Sequence, residues 1–121
     1  MKQVSESEML HRAAAYCSAS ERCIQDVEKK IKAAGLAGEE SDRIVSRLLQ
    51  ERFIDESRFA RYFVNDKLRF NKWGRVKINY EMQRKGIPSS IRSEALEGID
   101  EQEYRSILLS LLKSKKKVTR R

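Results

Sequence analysis

The stretch Arg52-Phe53-Ile54-Asp55-Glu56-Ser57-Arg58-Phe59-Ala60 decides the fold of this chain. Phe53 and Ile54 finish an apolar helical stripe, and Asp55 can cap the next helix because its carboxylate accepts a hydrogen bond from a free backbone N–H. Glu56 then places negative charge in the first turn, where the helix dipole favours it. The stretch therefore predicts a junction between two helices.

The junction recurs further along the chain. The phrase Ile54-Asp55-Glu56-Ser57-Arg58-Phe59 is echoed 45 residues later by Ile99-Asp100-Glu101-Gln102-Glu103-Tyr104. A period of about 20–50 residues is typical of repeat architectures. Apolar residues also recur at helical spacing along most of the chain, and alternating strand patterns are missing from the sequence. The sequence therefore predicts an all-α fold of tandem three-helix repeats, two complete and a third truncated after its first helix.

The repeat pattern divides the chain into segments and predicts two cores. The segments are a flexible start over 1–7, repeat 1 over 8–53, repeat 2 over 54–98, the first helix of an incomplete repeat 3 over 99–114, and a basic tail over 115–121. A Ser-x-x-Glu capping box is predicted from Ser18 to Glu21 at the start of the second helix. The first predicted core contains Leu10, Ala13, Cys17, Ile24, Val27, Ile31, Ile44, Leu48 and Phe53. The second contains Phe59, Phe63, Ile78, Met82, Ile91 and Leu96.

The incomplete third repeat leaves a broad apolar stripe on its single helix. One helix cannot bury such a stripe by itself. We expect it to lie against repeat 2, to pair with another chain, or to continue into sequence beyond Arg121. The residues predicted to form a dimer contact in the second case are Tyr104, Leu108, Leu111 and Leu112.

The charge of the chain indicates an anionic partner. The formal net charge is +8, and six positive charges fall within the last nine residues. The tail is therefore strongly basic and the body mildly so, which is typical of proteins that meet nucleic acid or a nucleoprotein. No apolar run approaches the ~18–20 residues needed to span a bilayer. The start of the sequence also has no signal-peptide pattern, so we predict a cytoplasmic protein without membrane contact.

The sequence nominates no catalytic, metal or cofactor site. His11 is the single histidine, and neither a Gly-rich phosphate loop nor a Ser/His/Asp arrangement is visible. Cys17 and Cys23 lie among apolar residues, so we interpret them as buried reduced thiols rather than metal ligands. The acidic pairs Asp55-Glu56 and Asp100-Glu101 are interpreted as helix caps. We predict a protein that is not an enzyme.

Three local signatures carry a family resemblance. They are Phe53-Ile54-Asp55-Glu56-x-x-Phe59-Ala60-x-Tyr62, Gly74-Arg75-x-x-Ile78-x-x-Glu81-Met82-x-x-Lys85-Gly86-Ile87, and the segment Ser20 to Gly35. In this order and spacing they resemble the RecX family of bacterial regulators of the RecA recombinase. The resemblance implies a curved helical array that binds the RecA filament and most often inhibits strand exchange and ATP hydrolysis, in DNA repair and the SOS response. Family members normally complete the third repeat, and Met82 stands where leucine is usual.

The cations of repeat 2 nominate a partner-binding surface. An indole in the turn Lys72-Trp73-Gly74-Arg75, flanked by cations, suits a protein contact or stacking on a base. Equally, Trp73 can cover the seam between helices. The predicted partner-binding residues are Arg58, Arg61, Lys72, Trp73, Arg75 and Lys77.

The alternative function is a direct nucleic-acid-binding module. Residues Ile78 to Leu96 have a helix–turn–helix outline. Arg92 is the one strong base reader at the start of the second helix in that outline. The predicted nucleic-acid contacts are Arg92, Lys115, Lys116 and Lys117. The tail lysines can also be a solvated terminal segment or the start of a missing helix.

Overall fold

The computed structural model describes the backbone of residues 4–119 and the side chains of residues 4–113. Within this range it contains seven α-helices and no strand, so the all-α prediction is confirmed. The helices are α1 Glu6–Ala19, α2 Ile24–Ala33, α3 Gly38–Gln50, α4 Glu56–Arg69, α5 Arg75–Arg84, α6 Ser89–Glu97 and α7 Glu101–Thr119. In the described part of the chain, none of them has both the length and the apolar content to cross a bilayer.

The chain forms two compact units, with the boundary between Phe59 and Ala60 inside α4. The first helix begins at Glu6 and the backbone of the last helix continues to Thr119. Helical structure therefore extends into the segments predicted as a flexible start and a basic tail. The division into two complete repeats and one incomplete repeat stays a prediction.

The first unit packs α1, α2 and α3 around one core. Six of the nine predicted residues are buried, whereas Leu10, Ile24 and Phe53 pack against the core while partly exposed. Met9 is 1% exposed and takes the place predicted for Leu10. Positions 9 and 10 both border the stripe that contains Ala13, and the flexible methionine side chain fills the core at this end of α1. The fully or largely buried members are Met9, Ala13, Cys17, Val27, Ile31, Leu36, Ile44, Val45, Leu48 and Ile54.

The predicted capping box at Ser18 and Glu21 is wrong. Helix α1 continues to Ala19, so Ser18 lies inside this helix and cannot be the N-cap of the next one. Cys23 is instead the N-cap residue of α2, and its backbone N–H donates to Asp26 Oδ2 at 3.3 Å. Both cysteines are buried as reduced thiols, as predicted. Burial raises the pKa of the Cys17 thiol.

The two units share a helix-ending motif, which supports the predicted internal repeat. Gly35 and Gly86 have φ angles of 94° and 80°, in the left-handed region that favours glycine. After each glycine, a backbone N–H reaches back to the helix: Leu36 donates to Ile31 at 3.3 Å, and Ile87 donates to Met82 at 3.1 Å. Leu36 and Ile87 are both buried. The same sequence pattern therefore closes α2 and α5 in the same way.

The second unit packs the rest of α4 with α5, α6 and the start of α7. Of the predicted core, Phe59, at the end of the first unit, is buried together with Phe63, Ile78 and Met82. Ile91 and Leu96 are only half-buried. Ala95 is buried in their place, because a small side chain lets the short helix α6 approach closely.

Helix α7 buries only part of its apolar stripe. Ile107 is buried, and Tyr104 and Leu111 are half-buried. Leu108, Leu109 and Leu112 remain exposed. Part of the stripe is thus accessible in the single chain, as expected, and the predicted dimer contact stays a prediction.

Candidate partner-binding surface

Asp55 and Asp100 stabilise the starts of α4 and α7. Asp55 Oδ1 accepts the backbone N–H of Arg58 at 3.0 Å, and Asp100 Oδ1 accepts that of Gln102 at 2.8 Å. Ile54 and Ile99, which precede these caps, are both buried. The acidic pairs are therefore helix caps, as predicted, because each aspartate satisfies N–H groups that have no partner within the helix.

Arg58 is a clamp inside the first unit. Its Nε donates to Glu21 Oε2 at 2.7 Å, and its Nη2 donates to the carbonyl oxygens of Arg52 and Phe53 at 3.1 and 3.3 Å. These bonds use most of the donors of the guanidinium group. Arg58 therefore ties the loop after α1 to the start of α4, and it offers less to a partner than its sequence position suggested.

Glu56 links the start of α4 to the start of α2. Its Oε2 accepts the backbone N–H of Ile24, the first residue of α2, at 3.2 Å. Burial raises the pKa of the Glu56 carboxyl, the hydrogen bond from Ile24 acts in the opposite direction, and nearby Glu28 adds to the rise. The carboxylate thus satisfies a helix N-terminus at some cost in desolvation.

The turn between α4 and α5 gathers an aromatic pair and two lysines. The Trp73 backbone N–H donates to the Lys67 carbonyl at 3.0 Å. Its ring meets that of Phe63 edge to face, with centroids 6.3 Å apart. Lys77 Nζ lies 4.6 Å and Lys67 Nζ 5.3 Å from the Trp73 ring centroid. Such cation–π contacts hold the indole in place, and Trp73 remains half-buried.

Lys72 is presented at the tip of this turn. Its φ of 59° places a non-glycine residue in the left-handed region. The side chain is exposed, and no ion pair joins it to another described residue. Lys72 and Lys77 are therefore the two predicted partner-binding cations whose charge stays available near Trp73.

Arg75 anchors α7 rather than standing free. Its backbone N–H donates to Tyr104 Oη at 3.2 Å, and its guanidinium carbon lies 4.2 Å from the centroid of the Tyr104 ring. Its side chain also pairs with Glu101. A side chain at Gly74 would place Cβ 3.4 Å from the same Tyr104 hydroxyl. Arg75 thus fixes the first turn of α7 on the start of α5.

Arg61 and Arg92 differ in availability. Arg61 is exposed at the edge of a shallow cavity between α4 and α6, which Asn65 and Glu94 also line. Arg92 Nε donates to Asn79 Oδ1 at 2.9 Å, and its Nη1 donates to the Ile87 carbonyl at 2.5 Å. These bonds tie α6 to α5, and they engage the residue predicted to read bases. The side chains of Lys115, Lys116 and Lys117 lie outside the described residues.

The structure adds apolar residues that the sequence argument did not nominate. Phe70 is 80% exposed at the end of α4, and on α5 Val76 and Tyr80 are 86% and 57% exposed. Val76 and Tyr80 are four residues apart, so they share the outer face of α5. The sequence contained a sign of their exposure, because both residues lie off the helical stripe that contains Ile78 and Met82.

The described residues do not form a metal centre. Among them, no group of three or more His, Cys, Asp or Glu side chains could hold a metal ion.

Comparison with known protein families gives a match that covers α4, α5 and most of α6. Residues 55–96 match the family model described as RecX, second three-helix domain. This range includes the α4–α5 turn, the aromatic pair and the exposed face of α5.

The chain is also similar to curated proteins named regulatory protein RecX. It is 33% identical over 91 residues to that of Prosthecochloris aestuarii, covering 75% of this chain and 60% of the relative. It is 27% identical over 103 residues to that of Lactobacillus johnsonii, covering 85% of this chain and 38% of the relative. The chain thus spans less than two thirds of the length of these relatives.

Solved structures share the fold. The crystal structure of RecX from Lactobacillus salivarius superposes with a TM-score of 0.79 at 20% identity, covering 90% of this chain and 71% of that one. A second crystal structure, of regulatory protein RecX, gives a TM-score of 0.79 at 21% identity, covering 96% of this chain and 60% of that one. These structures show the shared fold, and the matched second domain and the curated relatives show that this chain belongs to the RecX family.

Proposed function

We propose that this chain is a RecX-like regulator that binds the RecA–DNA filament and inhibits its recombinase and ATPase activity. The observation that carries the proposal is that the family match and the accessible cations fall on the same segment. The segment that matches the second RecX domain, residues 55–96, also holds the accessible cations Lys72 and Lys77 around the half-buried Trp73.

The mechanism needs no chemistry from this chain. A helical protein bound across neighbouring protomers of a filament hinders the rearrangements that filament growth and ATP turnover require. Exposed lysines speed the encounter with an acidic surface and make it sensitive to salt. Trp73 slows dissociation where the complex removes its exposed edge from water.

The intramolecular bonds of Arg58 and Arg75 reduce the number of predicted residues that are available to bind a partner. Arg58 and Arg75 are engaged in bonds that hold the fold, so reversing either charge would disturb structure as well as binding. An acidic side chain at position 75 would face Glu101. Lys72 and Lys77 are therefore the cleanest positions for a test, together with Arg61.

The test is the rate of DNA-dependent ATP hydrolysis by RecA against added protein, at fixed salt. We expect the double reversal Lys72→Glu/Lys77→Glu to require about tenfold more protein for half-inhibition, because opposed like charges cost binding energy. Its unfolding free energy should change by less than about 1 kcal/mol per substitution, because both positions are exposed and Lys77→Glu also removes the cation–π contact with Trp73.

The matched control is Lys29→Glu/Lys32→Glu, which makes the same charge change at exposed positions of α2 in the first unit. It should inhibit like the wild type. Superimposed curves for wild type and Lys72→Glu/Lys77→Glu would place the contact elsewhere. A wild-type chain without effect on ATP hydrolysis would contradict the proposed function itself.

Direct nucleic-acid binding remains the competing function. Arg92, its predicted base reader, is held by Asn79 and the Ile87 carbonyl. Titrating the same proteins against DNA without RecA separates the two functions, since a regulator of the filament should bind filament more tightly than free DNA.

A further inference from the structure

Helix α5 has a buried face and an exposed apolar face. Ile78 and Met82 are each 0% exposed and complete the core of the second unit. On the outer face, Val76 and Tyr80 are 86% and 57% exposed, one helical turn apart. Val76 and Tyr80 are therefore not part of the core of the second unit.

This exposure is concentrated. Single exposed apolar side chains are normal on protein surfaces, whereas grouped ones mark interaction sites. Phe70, Val76 and Tyr80 lie within eleven residues of sequence, on the α4–α5 turn and the helix that follows. The group flanks the position of Trp73 along the chain.

The charged residues within this stretch of sequence are all cations. From Lys67 to Tyr80 the sequence contains five cations and no aspartate or glutamate. Arg69 and Arg75 are paired with Glu103 and Glu101. Lys72 and Lys77 make no ion pair with any described residue, so their charge borders the apolar group. The complementary surface is apolar at its centre and acidic at its edge.

We propose that Val76 and Tyr80 are the apolar anchors of the partner-binding surface, and that their occupant is a protein groove with an apolar floor and a carboxylate rim. The inference rests on the proposed function, under which the groove belongs to the RecA filament. Anchors at the centre with charges at the edge are the usual anatomy of a protein interface.

A protein groove fits these residues better than nucleic acid does. Val76, the most exposed of them, is aliphatic and has no π-face on which a base could stack. Two lysines without ion pairs also neutralise few phosphates, and phosphate neutralisation supplies most of the affinity for nucleic acid.

The test measures binding of the full 121-residue chain, labelled at its N-terminus, to RecA filaments on single-stranded DNA and to the same DNA alone, over a range of salt. We expect Val76→Ser/Tyr80→Ser to weaken filament binding by at least about tenfold, as for interface anchors, without changing its salt dependence. The control Leu49→Ser removes an exposed apolar side chain of the first unit and should bind like the wild type.

Thermal melts accompany the measurement, because the variants must stay folded. Val76→Thr provides a second variant that keeps the side-chain shape and replaces one methyl group by a hydroxyl, and it should weaken binding in the same direction. If the wild type binds the filament and both α5 variants bind it equally well, the anchors are wrong while the proposed function stands.

Two other outcomes would contradict the proposed function or the proposed occupant. A wild-type chain that does not bind the filament contradicts the proposed function, and the assigned occupant fails with it. A wild-type chain that binds free DNA as tightly as filament, with both affinities lowered equally by Val76→Ser/Tyr80→Ser, makes nucleic acid the occupant and overturns the protein groove.

Discussion

The two units bury their cores equally well and differ in what they leave on the surface. Among the described side chains, Leu49 is the one large hydrophobic residue of the first unit that is substantially exposed. The second unit exposes seven: Tyr62, Phe70, Val76, Tyr80, Leu108, Leu109 and Leu112. This difference fits the proposed function, under which the first unit is mainly scaffold and the second carries the partner-binding surface.

Ion pairs do not explain the difference. Each unit joins distant segments by arginine–carboxylate pairs, such as Arg43 with Glu6 in the first and Arg69 with Glu103 in the second. Both pairs are accessible to solvent, and ion pairs of this kind contribute little to stability. The contrast between the units therefore lies in their apolar surface.

The largest effect is expected from the core of the second unit. Phe63→Ala should lower the unfolding free energy by about 3–5 kcal/mol, because it removes a buried ring that also supports Trp73. Phe70→Ala is the matched control, since it deletes the same ring at an 80% exposed position, and should cost less than about 0.5 kcal/mol. Denaturant melts of both variants measure the difference. Equal losses would show that burial does not separate core from surface here.

A smaller effect is expected at the clamp in the first unit. Arg58→Ala should cost about 1–2 kcal/mol, because it removes a charge-assisted bond to Glu21 and leaves two backbone carbonyls without their donor. Arg61→Ala, on the same helix but exposed, should cost less than about 0.5 kcal/mol. If Arg58→Ala melts like the wild type and instead abolishes filament binding, then Arg58 is a partner contact and not a clamp.

Local chemistry made much of the fold predictable. Asp55 and Asp100 cap helices, and Gly35 and Gly86 end them, through bonds that span only a few residues of sequence. Helical spacing identified most of the core for the same reason. The capping box predicted at Ser18 was wrong because α1 continues through that position and Cys23 is the N-cap of α2.

The site was harder to predict because its contacts are distant in sequence. Arg58 bonds to Glu21, Arg75 stacks on Tyr104, and Arg92 reaches Asn79. Residue type shows that an arginine carries charge, but only packing shows whether that charge is engaged. The apolar anchors on α5 were hidden in the same way, since a hydrophobic residue off the main stripe can be buried by another element.

The claim that the second unit carries the binding surface is tested most directly by hydrogen–deuterium exchange, with and without RecA filament on DNA. We predict slower exchange on binding across residues 70–84, and unchanged exchange across α2 and α3. Slower exchange confined to α2 and α3, with residues 70–84 unaffected, would contradict the assignment of scaffold and binding surface to the two units.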